Sequence, residues 1–534
     1  MKISTHYTPA GHLARNVLCI GFCLWLAGCS LPTALGVSPG LVLVTPNPEA
    51  SLTPTPFQPA GGTLAPFESL TPAPSFTPAP PTDTPLPTLE FTATTLASPT
   101  APATSGRTQY TLYALLDYYN HELAVDESLR YTNQTGVALG ELVMAVEPKL
   151  RGGFTLENIL RDGNPLQYDL NGQRLTVYFP QGQGLEPGAQ VTLSMRFRIS
   201  VPAKIKEHPY GYDVDQLNLT DWYPFVVPYV LGQGWVLHEP GAVGEHLVYD
   251  AADFEVNIRT MDTGVVLATS GVADPQPNGE WTRYRLAGAR TFAVSASDQL
   301  LVYDATAGAA GAQIRAYYYP GYETQGAAIL NAAVRAVGIF EEKFGTYPYG
   351  SLSVVQADLN DGQEYDGLVF LATKFYNEYD GSARCNLVAI GVHEIAHQWW
   401  FGLVGSDQAV EPWLDEAMSV YSEAVFYKFI YPNSADWWWN FRVNWFGPSG
   451  YVDTSIYEPP SFRAYVNASY LNGANFLEAL NYRMGDDVFF QFLQDYTSRY
   501  GRGRATAYDF FAVARQNTTA DISDLIAAYF RGVY

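Results

Sequence analysis

Hydrophobic positions repeat with two different periods along this chain, and the change of period divides it. From Thr108 to about Asp304 the runs are short. In VTLSMRFRIS, Val191, Leu193, Met195, Phe197 and Ile199 fall on one face of an extended strand. YTLYALLDY and RLTVYF are rich in the residues that strands favour, and turn signals at Asn171-Gly172 and at Pro277 to Gly279 separate such runs. This predicts a sandwich-like domain of antiparallel strands over residues 108–305. Near Tyr318 the period becomes helical. TQGAAILNAAVRAVGIFEEKFG predicts a helix with Leu330, Val334 and Val337 on its apolar stripe, ended at Gly345. SLSVVQADL and GLVFLAT read as strands, and from Asn386 onward the pattern is mainly helical. Residues 306–534 are thus expected to form a second domain, giving a multidomain α+β chain with no internal repeat.

The first hundred residues fit neither period. Lys2 and Arg15 precede an apolar run, Asn16 to Gly28, that is too short for a comfortable bilayer span and fits a secretory signal. It ends in Leu26-Ala27-Gly28-Cys29, which resembles the lipobox of bacterial lipoproteins. That resemblance implies a signal peptide over residues 1–28, cleavage before Cys29, lipid on Cys29 and an extracytoplasmic, membrane-anchored protein at the cell surface or in the periplasm. Residues 29–107 follow, with Pro and Thr recurring and no Lys or Arg between Ser30 and Arg107. Such a segment buries too little apolar surface to fold and is expected to be an extended, disordered stalk. Only Cys385 then lies in the folded part, so no intramolecular disulfide is expected there.

Charge narrows the partners. Fifty-three acidic against thirty basic residues give a net charge of -23, which argues against nucleic acid.

One stretch carries chemistry. In GVHEIAHQWWFG, His393 and His397 are one helical turn apart, so both imidazoles can reach one ion, and Glu394 can meet a water on it. They are the only histidines after His246. A catalytic zinc takes three protein ligands and keeps one open position. Glu416, separated from His397 by eighteen residues and lying within EPWLDEAMSVYSEAVFYKF, stands on a second helix that can return its carboxylate to the metal. Glu423 lies two turns further on the same face and is a candidate partner for a ligand histidine. Trp399, Trp400 and Trp413 are expected to pack between the two helices.

H-E-x-x-H, eighteen residues and then a Glu that closes a W-L-x-E sequence resemble the M1 family of zinc aminopeptidases, the gluzincins. DGQEYDGLVF resembles the family's Gly-x-Met-Glu-Asn motif: Gly362 and Glu364 match, Gln363 stands where Met is usual, and Tyr365 where Asn or Tyr is found. AYVNASYLNGANFLEAL resembles its Tyr-x-Lys-Gly sequence through Tyr470 and Gly473, with Asn472 in place of Lys. The resemblance runs from about Arg107 to Tyr534 and stops where larger members continue, so a short form is expected.

The resemblance implies an N-terminal saddle domain followed by a thermolysin-like catalytic domain. It implies one zinc ion on His393, His397 and Glu416, Glu394 as general base and Tyr470 as oxyanion donor, with Tyr465 as that tyrosine's rival. Glu364 would bind the free amino group of a peptide, and Gly362 and Gln363 its main chain. The expected activity is removal of N-terminal residues from peptides. A weak or inactive peptidase-like binding lipoprotein and a metallo-endopeptidase are the alternatives.

Overall fold

The computed structural model describes residues 106–276 and 278–534, which belong to one compact unit. The signal segment, Cys29 and the stalk as far as residue 105 lie outside the described residues. Arg107, placed by sequence at the stalk's end, is already part of the fold: its guanidinium pairs with Asp253 at 2.8 Å.

The N-terminal part is built on an eight-stranded sheet whose centre runs Ala252–Thr260, Thr108–Asp117, Glu122–Thr132, Gln190–Ser200, Phe154–Arg161. The strand Gln190–Ser200 alternates strictly, and its five apolar residues are all buried. Period-two patterning sets register here, since a slip of one residue would turn that whole face to water. The pairing is antiparallel except between Thr108–Asp117 and Ala252–Thr260, which run parallel. Two four-stranded sheets and a short hairpin complete this part.

A five-stranded sheet follows, in the order Leu301–Ala307, Ala312–Tyr318, Ser351–Ala357, Leu368–Ala372, Gln363–Tyr365. The expected boundary after residue 305 therefore cuts its first strand, whose partner is Ala312–Tyr318. Ser351–Ala357 and Leu368–Ala372 are buried throughout, as strands covered on both faces should be; the second is an unbroken apolar run, and the first also buries Ser351, Ser353 and Gln356. The parallel step from Ala312–Tyr318 to Ser351–Ala357 is bridged by the helix Glu323–Phe344. That helix buries Ile329, Ala333, Ala336, Val337 and Phe340, while Leu330 and Val334 are only partly covered. Its core stripe thus shares Val337 with the sequence-based one but lies to one side of it, with Ala332, Ala333 and Ala336 buried.

Gln363–Tyr365 is the edge strand, antiparallel to Leu368–Ala372. Behind the sheet stand the two helices that matter for chemistry, Asn386–His397 and Trp413–Ile430, packed on each other. Every residue of the first is buried. Among the described residues, no helix is long and apolar enough to cross a membrane.

Candidate metal and substrate site

His393 and His397 project from the last turn and a half of Asn386–His397, after which the helix widens into a π-helical turn, Gln398–Leu403. Glu416 lies in the first turn of Trp413–Ile430, opened by Pro412. The three side chains converge. Glu416 Oε2 is 3.3 Å from His393 Nε2 and 3.7 Å from His397 Nε2. Each imidazole is oriented from behind: His393 Nδ1 meets Glu423 Oε1 at 3.1 Å, and His397 Nδ1 meets Asp415 Oδ1 at 2.5 Å. Those contacts fix which ring nitrogen is turned to the centre.

The supporting carboxylates are themselves held. Glu423 has no exposed surface and accepts from Trp438 Nε1 at 2.9 Å and from Arg442 Nε at 2.8 Å. Burial pushes its carboxyl up, but Arg442 and His393 outweigh burial and leave it below the usual range. Gln408 Nε2 donates to Asp415 Oδ2 and to Glu245 Oε2, both at 2.7 Å.

The donor set suits a divalent metal such as zinc: two imidazoles and one carboxylate, their ligand atoms within 4.8 Å of one another. Glu416 Oε2 is buried and has no hydrogen-bond donor, so a cation is the partner this atom lacks. Two other trios, Glu364–Glu394–His397 and Glu245–Glu364–Glu416, are equally close but rich in carboxylates, and each shares a member with the first.

The triad opens on a cleft of about 460 Å³ that is also lined by Glu394, Glu364, Glu245, Gln363 and Tyr470. Glu394 is 5% exposed, and its Oε2 has no partner. Burial pushes its carboxyl well above the usual range, against the pull of His393. Gly362 is a glycine for a steric reason, since a Cβ there would overlap the Glu394 carboxylate. Glu364, on the edge strand, is 6% exposed, so it is not a loop carboxylate in water. Burial first, then Glu245 and Glu394, push its carboxyl well up. Gln363 Nε2 donates to Glu364 Oε2 at 2.9 Å and also to Glu245 Oε1.

Tyr470 and Tyr465 separate clearly. Tyr470 sits in a π-helical stretch, Val466–Asn472, and donates its hydroxyl to Glu416 Oε1 at 2.5 Å, with its ring parallel to that of His393. Tyr465 is 1% exposed, packs edge-on against Tyr470 and does not line the cleft. Gly473 allows the close approach, because a Cβ there would overlap that of Ala417 on the Glu416 helix. Asn472 donates to Gly450 O at 2.8 Å and is not among the cleft's lining residues. Trp399, Trp400 and Trp413 are buried packing residues. Cys385 donates to Ser382 O, its thiol pushed up to about 12 by burial.

Sequence reasoning missed Asp415, Arg442, Gln408 and Glu245. Asp415 carries a signal, as the residue next to the third ligand. Arg442 and Glu245 carry none, because they arrive from the π-helical turn Trp439–Val443 and from the β-rich part.

Comparison with known proteins agrees with this geometry. Residues 328–529 match the family described as "Peptidase family M1 domain". Aminopeptidase M1-B of Oryza sativa subsp. japonica is 26% identical over 234 residues, covering 41% of this chain and 27% of that protein. Aminopeptidase 2 of Candida albicans is 25% identical over 236 residues, covering 39% of this chain and 24% of its own length. The chain thus matches about a quarter of the length of these relatives. Among solved structures, an M1 zinc metallopeptidase from Deinococcus radiodurans superposes with a TM-score of 0.59 at 17% identity, over 80% of this chain and 94% of that one. Another structure of that protein, a mutant, holds a Tyr-Ser-Ala substrate. Residues 328–529 are therefore similar to a peptidase family M1 domain, and the fold around them is that of the solved M1 metallopeptidase.

Proposed function

We propose that this protein is a zinc aminopeptidase that removes single residues from the free N-terminus of peptides. The observation that carries the reading is the convergence of His393, His397 and Glu416 beside buried Glu394, with a second pair of carboxylates, buried Glu364 and partly buried Glu245, on the same cleft. A zinc ion held by the triad supplies Lewis-acid polarisation of a carbonyl and lowers the pKa of a water toward neutrality. Glu394, with Oε2 free of donors, takes the water's proton and returns it to the leaving amine. Tyr470, already donating at the triad's edge, gives its hydroxyl hydrogen to the developing oxyanion.

Glu364 and Glu245 bind the substrate's ammonium group. One nitrogen, Nε2 of Gln363, bonds to both, so their spacing admits a single cationic nitrogen. Fixing the amine at this distance from the triad sets the first peptide bond over Glu394 and makes the reaction an exopeptidase one.

The lipobox-like Leu26 to Cys29 and the Pro/Thr-rich stretch after it support an extracytoplasmic, lipid-anchored location. Replacing Cys29 by Ser should release the protein from membranes. The activity is tested by zinc content and by release of arylamine from aminoacyl-arylamides and their blocked counterparts. About one zinc per chain with chelator-sensitive release from free amines only is expected. Turnover of blocked substrates would mean an endopeptidase, and zinc without turnover a binding scaffold.

A further inference from the structure

Beyond the cleft, on the far side of Glu245 and Glu364, lies a second cavity of about 200 Å³. The two spaces share the wall made by Glu207, Gly244, Glu245, Gln363 and Glu364. The inner cavity is also lined by Glu147, Arg151, Asp221, His246 and Tyr249, all from the β-rich part. It has room for about six waters at ~30 Å³ each, so it takes one long side chain.

We propose that this cavity receives a cationic side chain, so that the protein prefers peptides beginning with lysine or arginine. The inference rests on the aminopeptidase reading above and deepens it.

Glu147 Oε2 is a buried acceptor of this space without a hydrogen-bond donor, and on the shared wall Glu364 Oε1 lacks one too. Glu147 is 2% exposed. Its other oxygen is committed to Arg151 Nε at 2.9 Å. The nearest imidazole nitrogen, His246 Nε2, is 3.8 Å from Oε2 and engages Gln173 Oε1 at 3.1 Å instead. A ligand with two separated cationic groups satisfies both acceptors, the α-ammonium at Glu364 and the side-chain charge at Glu147.

Charge agrees. Glu147, Asp221, Glu207, Glu245 and Glu364 face one guanidinium, that of Arg151, already paired with Glu147. His246 and His208 add no charge at neutral pH, burial lowering them to about 4 and about 3. Burial first, then the neighbouring Glu147, raise the Asp221 carboxyl to about 7, and burial raises that of Glu147 as well, a cost that an entering cation offsets. An aliphatic side chain would leave Glu147 Oε2 unpaired, and an acidic one would add a like charge. Gln363, where a thioether is usual in the family, keeps the shared wall polar.

The test uses the zinc-loaded full chain and compares kcat/KM for lysyl-, arginyl-, norleucyl- and glutamyl-arylamides. Lysyl over norleucyl should be favoured about tenfold or more, the worth of one charge-assisted hydrogen bond. Glu147→Gln should cut that ratio about tenfold. A ratio taken within one protein cancels any loss of folded material. In the parent protein, free L-lysine should compete at lower concentration than L-norleucine. A ratio near one, or one that Glu147→Gln leaves unmoved, overturns the side-chain assignment while aminopeptidase activity stands. No release from any substrate overturns the activity reading, and the inference with it.

Discussion

The two walls of the cleft are built on opposite plans. One wall is a pair of consecutive helices, where His393, His397, Glu416, Asp415 and Glu423 sit within 31 residues of sequence and each ligand histidine is oriented by a carboxylate on the neighbouring helix. The other is assembled from afar: Glu364 from an edge strand and Glu245 from the β-rich part, joined through the side chain of Gln363, with Glu147 in the cavity behind them. The helical wall is rigid by packing, since every residue of Asn386–His397 is buried. The far wall holds together through side-chain hydrogen bonds, so single substitutions there can alter its chemistry without moving backbone. The first plan suits a reaction centre and the second suits selection among substrates.

That division gives unequal expectations for the two walls. On the helical wall, His397→Ala should remove zinc and all turnover together, read by metal analysis. Glu394→Gln should keep zinc and lower kcat by ~10²–10⁴-fold, the usual worth of a general base. Tyr470→Phe should lower kcat by ~10²-fold with zinc retained, as for one lost oxyanion donor. Tyr465→Phe, away from the cleft, should cost far less. If the two tyrosine variants behave alike, the separation of these residues by the π-helical stretch is wrong. On the far wall, Glu245→Gln should act chiefly on KM, raising it ~10-fold, since it removes one charged partner of the amine and leaves the reaction centre intact. A loss of kcat as large as that of Glu394→Gln would collapse the distinction between the walls.

The same division explains what the sequence made legible. Helical spacing carried His393, His397 and Glu416, and two further turns carried Glu423, because a helix turns sequence separation into direction. Resemblance alone favours Tyr470 over its rival Tyr465, since helical spacing does not say which of the two meets the triad; in the structure Tyr470, in the π-helical stretch Val466–Asn472, bonds Glu416. Glu245 and Glu147 had no signal at all. They lie in the β-rich part, more than a hundred residues before His393. Their partners are set by tertiary packing. The stripe of Glu323–Phe344 was misplaced for a simpler reason: Ala333 and Ala336 bury completely while contributing little to a hydrophobic pattern.

A buried acid far from the cleft shows the contrast most plainly. Glu127 lies on Glu122–Thr132 with Leu123, Val125 and Leu129 on the same core face; it is 2% exposed, and neither of its oxygens has a hydrogen-bond partner. Burial pushes its carboxyl well above the usual range, as it does for Glu364 and Glu394. The sign of its effect on stability follows. The unfolded chain loses this proton near pH ~4.3, whereas the folded chain keeps it to higher pH. Folding therefore takes up a proton across that interval, and stability falls as pH rises through it. Glu127→Leu should remove this slope and stabilise the protein at neutral pH by ~1–2 kcal/mol, read as a higher Tm, because two unpaired buried oxygens are replaced by apolar surface. Zinc content and turnover should not change. An unaltered pH slope would show that the carboxyl is not held protonated by the strand core. The acids of the cleft suffer the same burial, but there their unpaired oxygens face a metal site and a substrate cavity, so removing them should cost function where removing Glu127 adds stability.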